Sequence, residues 1–253
     1  MFELTVGDGV ATLTMCRPPV NAISNAWIDG FHQTLDRLES DRDWRLLRIQ
    51  SALRVFCAGA DLGQIRERFS LADGPERIRA DTARFHELFD RIERLDRVTL
   101  AVIGGSALGG GLELALACDL RLVADEASLG LPEARLGLLP GAGGTQRLTR
   151  LCGRGTASRL ILAGEIVDGA TAARLGIVQW AVARTALAQR SDAIAAAIGQ
   201  LAPAALAASK ACIAAAGDPA RDGFREELDA TRDLFSSPDT RARVTAFLDA
   251  RKK

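Results

Sequence analysis

The chain has only two histidines and five cysteines in 253 residues, and neither type is arranged for chemistry. Cys16, Cys57, Cys118, Cys152 and Cys212 are odd in number and show no C-x-x-C spacing. That excludes a disulfide framework and a zinc site, and it reads as reduced thiols in a cytosol-like compartment. His32 and His86 each fall in a helical pattern with no Gly-x-Ser-x-Gly nucleophile near, so both read as structural. Net charge is missing too. Lys plus Arg and Asp plus Glu each number 32, leaving no field to attract nucleic acid or an anionic membrane. No apolar run reaches the ~20 residues that span a bilayer. The first residues, Met-Phe-Glu-Leu-Thr-Val-Gly-Asp, hold no basic segment ahead of an apolar one. These absences predict a cytoplasmic protein with no metal, no membrane partner and no nucleic-acid partner.

What the chain does have is glycine beside carboxylate. In Ala-Leu-Gly-Gly-Gly-Leu-Glu at 107–113, Gly109, Gly110 and Gly111 let a ligand approach the backbone without meeting a Cβ. The first N–H groups of the helix that follows have no intrahelical acceptor and can hold an oxyanion. Glu113 closes this segment, and Glu133 follows Pro132 in a turn-rich stretch. At a helix N-terminus the dipole favours the ionised form of Glu113. A second small-residue turn, Phe-Cys-Ala-Gly-Ala-Asp at 56–61, follows a strand-like run at 45–50. Two such turns can converge on one oxygen, with the glutamates as acid/base groups. Taken alone, each feature has a packing explanation: a glycine run also serves close helix–strand contact, and a glutamate there also complements the dipole.

Short apolar runs at 10–15, 46–49, 98–103 and 120–123 predict strands. Between them, 24–38 and 76–95 predict amphipathic helices, the first with Ser24 as N-cap. The alternation predicts an α/β architecture of strand-turn-helix units. Residues 62–75 divide between loop and helix in no readable way. Beyond 190 the chain becomes Ala-rich helix, at 191–216 and 222–251, interrupted by Pro203 and by Gly-Asp-Pro at 217–219. The expected division is a core over 1–190 and a helical domain over 191–253.

Dinucleotide and mononucleotide loops fit poorly. Gly-Gly-Ser-Ala-Leu-Gly at 104–109 is not G-x-G-x-x-G, and Gly-Ala-Gly-Gly at 141–144 lacks the Lys-Ser/Thr of a P-loop. Ser106 and Cys57 have no base partner in sequence and read as small lining residues. Asp61 reads as a helix cap.

Five segments occur together: Arg-Pro-Pro-Val-Asn-Ala at 17–22, Cys-Ala-Gly-Ala-Asp at 57–61, the 107–113 run, Pro132-Glu133, and Leu-Pro-Gly-Ala-Gly-Gly-Thr-Gln-Arg-Leu at 139–148. In this order they resemble the crotonase superfamily, nearest to enoyl-CoA hydratase. The resemblance implies a crotonase-type spiral core with a C-terminal helical domain used in trimer formation. It implies that the N–H groups of Ala60 and Gly110 bind a thioester carbonyl, that Glu113 and Glu133 are catalytic, and that Ala58, Asp61, Leu62 and Gly141 contact substrate. Glu133 would deliver and retrieve the substrate proton while Glu113 orients water. CoA would be carried by the substrate, with no separate cofactor, and the assembly would be a homotrimer or hexamer. Arg17 and Arg54 are candidate cations for the CoA phosphates.

Two other functions stay open at this level. An enoyl-CoA isomerase would use Glu133 alone. An RNA-binding homologue is suggested by the arginines between Arg77 and Arg97, although Asp81, Glu87, Asp90, Glu93 and Asp96 interleave with them and predict a salt-bridged, solvated helix face. The family pattern is departed from at 51–56, where glycines are lacking, and at Gly63.

Overall fold

A computed structural model describes residues 1–40 and 43–251. Contacts divide the chain into two units, Met1–Leu95 with Thr99–Gly199, and Asp96–Val98 with Gln200–Lys253.

The first unit opens with a hairpin of β1 (Phe2–Gly7) and β2 (Val10–Met15). Asp8 and Gly9 connect them, both at positive φ, which a two-residue turn of this hand requires. Helix α1 (Asn25–Ser40) then crosses to β3 (Leu46–Ser51), parallel to β2. Trp27 and Phe31 of α1 pack on Phe2 with ring centroids 5.0 and 5.4 Å away. Two helices follow, α2 (Leu62–Phe69) and α3 (Gly74–Arg94), and then β4 (Val98–Ile103). The two-residue β5 (Ala107–Leu108) runs directly into α4 (Gly110–Leu116), of which every residue is buried. Beyond it lie β6 (Leu120–Ala124), β7 (Ser128–Gly130) and a 3-10 turn over Glu133–Leu136. The unit is completed by α5 (Gly144–Leu162), β8 (Ile166–Asp168), α6 (Gly169–Arg174), β9 (Trp180–Val182) and α7 (Leu187–Gly199).

One sheet has the order β1-β2-β3-β4-β6-β9 and a smaller one the order β5-β7-β8. Apart from the β1 hairpin, the described pairings of the larger sheet are parallel. Its inner strands are correspondingly apolar on both faces, with Leu46, Leu47 and Ile49 of β3 and Leu100, Ala101 and Ile103 of β4 inaccessible to solvent. The smaller sheet positions the site. β5 pairs with β7, and Gly109 N donates to Gly130 O at 3.0 Å, so the glycine turn and the segment leading to Glu133 are neighbours.

The second unit holds α8 (Pro203–Ala215), α9 (Gly223–Phe235) and α10 (Pro238–Ala250). Its helices start where the local chemistry allows: Asp222 Oδ1 accepts from Arg225 N at 3.1 Å, and Pro203 and Pro238 occupy first-turn positions.

The α/β architecture and the strands at 10–15 and 98–103 are as the periodicity predicts. Ser24 Oγ accepts from Trp27 N at 3.3 Å as the expected cap of α1. Differences fall where the pattern is weak. The segment at 62–75 is α2 and the opening of α3. The helix expected over 222–251 breaks at Ser236 and Ser237, because Pro238 cannot donate into the preceding turn. α7 begins at Leu187 and groups with the first unit. α5 had no counterpart in the periodicity; it is kinked at Gly153, whose φ of 76° and ψ of 164° are not helical.

Among the described residues no single helix is long and apolar enough to cross a membrane. Among them, too, no group of three His, Cys, Asp or Glu is placed to hold a metal ion.

Candidate active site

Two turns meet at the edge of the small sheet. Residues 57–60 lie between Ile23 and Ala107, bridged to both. The bridge to Ile23 uses Gly59 O, which accepts from Ile23 N at 2.8 Å, and Asp61 N, which donates to Ile23 O at 2.9 Å. Alternation along an extended chain turns the N–H of the intervening Ala60 the other way. Gly110 opens α4, so its N–H has no intrahelical acceptor. The two turns touch. A Cβ built on Gly110 would stand 3.4 Å from Ala60 N, and one on Gly59 would stand 3.0 Å from Gly110 N. At Gly59, with φ of +98°, only glycine fits both the backbone and the gap.

Two glutamates flank this junction. Glu113, three residues into α4, is 3% exposed, and its Oε1 accepts from Ala142 N and Gly144 N, each at 2.8 Å. Burial pushes its carboxyl up to about 7; the two N–H donors and Arg147 pull against that rise, and the charge of Glu133 adds to it. The α4 dipole alone predicts an ionised Glu113, and burial outweighs it. Glu133 starts the 3-10 turn, with Oε1 3.1 Å from the position of a Cβ on Gly109. Its Oε2 is buried and has no hydrogen-bond partner, and burial again raises its proton affinity. Two desolvated carboxyls, one in the field of the other, thus lie near the junction of the two turns, and raised carboxyls in such a place are candidates for acid/base work.

The sequence profile of the enoyl-CoA hydratase/isomerase family matches residues 5–253. The chain belongs to this family. It is 37% identical over 254 residues to a "Probable enoyl-CoA hydratase" of Bacillus subtilis, covering 99% of this chain and 96% of that protein. It is 43% identical over 212 residues to human "Enoyl-CoA hydratase domain-containing protein 2, mitochondrial", covering 81% of this chain and 71% of that one. Among solved structures, DspI of Pseudomonas aeruginosa superposes with a TM-score of 0.91 at 37% identity, over 98% of this chain and 94% of that one. An enoyl-CoA hydratase of Bacillus anthracis gives 0.91 at 31%, over 98% and 96%. The fold is thus the crotonase type, and the protein is an enzyme of the crotonase family, whose members act on acyl-CoA thioesters.

Within this enoyl-CoA hydratase/isomerase chain the remaining expected residues fall in different places. Ala58 is exposed and its N–H donates to Val20 O at 3.0 Å. Leu62, the first residue of α2, is 56% exposed. Gly141 lies against α3, where a Cβ would stand 3.4 Å from Thr82 Cγ2. Asp61 is committed: Oδ1 accepts from Gly63 N at 3.0 Å and Gln64 N at 3.3 Å, capping α2, while Oδ2 takes the Arg17 guanidinium at 2.9 Å. The Arg17 hydrogen bond is the main reason its carboxyl lies below the usual range. Arg17 also donates to Ala22 O. This cation clamps two turns together with its side chain 28% exposed, while Arg54 is exposed.

Cys57 donates from Sγ to Asn21 O at 3.1 Å, and burial pushes its thiol up to about 12, so it is no nucleophile. The carbonyl of Ser106 accepts from Phe56 N at 2.9 Å. His32 lies 3.2 Å from Arg91 Nη1, and burial lowers its pKa. The charged face of α3 is salt-bridged as expected and in part solvated, with the side chains of Arg77 and Arg94 54% and 81% exposed, but some of its acids reach other helices. Asp81 is 8% exposed and pairs with Arg68 of α2 at 2.8 Å, while Asp90 and Glu93 pair with Arg147 of α5 at 2.6 and 2.9 Å. These acids tie α3 to its neighbours, while Asp90 also pairs within α3 with Arg94 at 3.9 Å. Arg147 and the N–H groups of Ala142 and Gly144 carry site geometry that residue type did not reveal; the glycine spacing at 141–144 was the available signal.

Proposed function

We propose that the protein hydrates 2-enoyl-CoA thioesters to 3-hydroxyacyl-CoA, with CoA entering on the substrate and no separate cofactor. The observation that carries this reading is the buried, unpartnered Oε2 of Glu133 beside the Gly109 turn. Such an atom is costly unless a proton or a substrate group completes it, and in an active site it is the mark of an acid/base carboxyl.

In this reading the thioester oxygen accepts from Ala60 N and Gly110 N, which stabilise the enolate as it forms. One such donor is typically worth about 3 kcal/mol. Glu113, held at Oε1 by two N–H groups, orients water toward Cβ with its other oxygen. Glu133, whose proton affinity burial raises, gives its proton to Cα. The water oxygen bonds to Cβ, its proton passes to Glu113 and the proton of Glu133 arrives at Cα, so the total on the two carboxyls is unchanged and one proton returns from Glu113 to Glu133, through solvent, before the next turnover. Ala58, Leu62 and Gly141 flank the substrate, and Asp61 serves it indirectly by capping α2.

A homotrimer or hexamer is proposed on the exposure of Phe224, Leu228 and Phe235 of α9, which are 84%, 73% and 82% accessible in the single chain. A cytoplasmic site is proposed on the five free thiols. The purified protein should be assayed with 2-enoyl-CoA thioesters for hydration, with 3-enoyl-CoA for double-bond migration, and with RNA at several salt concentrations. Faster hydration is expected. Dominant migration, or tight salt-dependent RNA binding without turnover, defeats the proposal.

A further inference from the structure

We propose that Arg147 is the positioning residue for Glu113, holding the 142–144 loop so that two of its N–H groups close on one carboxylate oxygen. The inference rests on the reading of Glu113 as the water-orienting group.

The loop is pinched between two side chains. Ala142 N donates to Glu113 Oε1, while Ala142 O accepts from Arg147 Nη1 at 3.0 Å. One peptide segment thus links the guanidinium to the catalytic carboxyl. Gly143 sits at φ of +99°, and a Cβ there would stand 2.2 Å from Arg147 Nη1, so the guanidinium lies directly against its Cα. Arg147 N also donates to Gly143 O at 2.8 Å, the first turn of α5. The left-handed Gly143 lets the N–H groups of Ala142 and Gly144 converge, and the guanidinium occupies the space that this conformation leaves.

Arg147 is itself held from the far side. Nε donates to Glu93 Oε2 at 2.9 Å and Nη2 to Asp90 Oδ1 at 2.6 Å, two acids three residues apart on α3. Its side chain is 6% exposed against 40% and 43% for the acids. A cation so buried needs its partners. A staple between α3 and α5 requires only the bonds to Asp90 and Glu93, and the third bond, to Ala142 O, reaches the active site. The planar fork serves all three acceptors; a single lysine ammonium on a flexible stem does not reproduce that geometry.

The charged groups around Glu113 are Glu133 from the 3-10 turn and Arg147 from α5, with His86 of α3 near Gly143. Arg147→Lys keeps the charge and loses the fork. Hydration kcat is then expected to fall roughly 10- to 100-fold with KM and the acid limb of the pH profile unchanged. Arg147→Met is expected to lose as much and also to move the acid limb to higher pH, because the cation opposing protonation of Glu113 is gone. In a Glu113→Gln background neither substitution should add a further loss.

Wild-type kcat in Arg147→Lys, or losses that multiply in the Glu113→Gln background, overturns the inference. Should Arg147→Met fail to fold, Asp90→Asn replaces it, since it loosens the guanidinium and should lower kcat; unchanged kcat again counts against. If Glu113→Gln hydrates at the wild-type rate, the reading of the site falls and this inference with it. If Glu113→Gln is impaired and the Arg147 variants are not, only the present inference falls.

Discussion

Glu133 Oε1 lies 3.1 Å from where a Cβ on Gly109 would stand, so the backbone that opens α4 and the carboxyl of the 3-10 turn share a boundary with no side chain between them. The contact follows from the pairing of β5 with β7, which carries 107–109 alongside 128–130. It puts a desolvated acid against Gly109, the residue before the Gly110 N–H, and the proposed division of labour depends on that adjacency.

Replacing Glu133 by Gln is expected to abolish hydration while the fold survives. The amide has nearly the same shape but cannot exchange the proton needed at Cα. Circular dichroism and a melting curve should match the wild type. A purified variant that hydrates enoyl-CoA at full rate would remove Glu133 from the mechanism.

Adjacent glycines should separate catalysis from folding. A Cβ on Gly110 would meet Ala60 N at 3.4 Å and Phe85 Cε1 at 3.5 Å, both ordinary contacts, whereas one on Gly111 would meet Cys57 O at 2.1 Å. Gly110→Ala should therefore yield folded protein, Gly110→Val should fold but lose turnover by crowding the carbonyl site, and Gly111→Ala should yield little soluble protein. Equal turnover in Gly110→Val and wild type would move the oxyanion hole elsewhere.

Glu113→Ala separates hydration from double-bond migration. Removing a general acid/base typically loses roughly 10²–10⁴-fold, and hydration needs the oriented water that migration does not. Assays with 2-enoyl-CoA and 3-enoyl-CoA should show the first activity collapse. Retained hydration, with migration the dominant wild-type reaction, points to the isomerase.

The position of Glu113 near 7 has consequences for both stability and rate. Its folded-state affinity lies above the ordinary 4.5. Its contribution to stability is thus complete below about 4.5 and is lost as pH rises through about 7. Denaturant midpoints measured against pH should show the wild type losing stability relative to Glu113→Gln over that interval; parallel curves would contradict the burial argument. Hydration kcat/KM, which reports the free enzyme, should fall on the acid side with a midpoint near 7, as Glu113 gains the proton that prevents it from polarising water.

Much of the site is written locally. Gly109, Gly110 and Gly111 before an apolar helix, and Ala58, Gly59 and Ala60 after a strand, announce turns that a ligand can approach, because glycine and alanine act through the backbone beside them. Ser24 and Pro203 mark helix starts for the same reason. α5 shows no readable helical period because Gly144, Gly153 and Gly155 dilute it, and it is held by Arg147 to distant acids.

The sequence by itself determined the α/β alternation and the glycine turns and singled out two glutamates as candidates, since these depend on neighbouring residues and on residue type. Only the tertiary structure decided what the charges do. Arg17 pairs with Asp61, Asp81 is buried under Arg68 and not solvated, and Glu113 is raised by burial where its helix alone would lower it. The reason is that proton affinity and pairing depend on the surrounding dielectric and on partners tens of residues away, and folding alone brings 113 to 142 and 144, and 147 to 90 and 93.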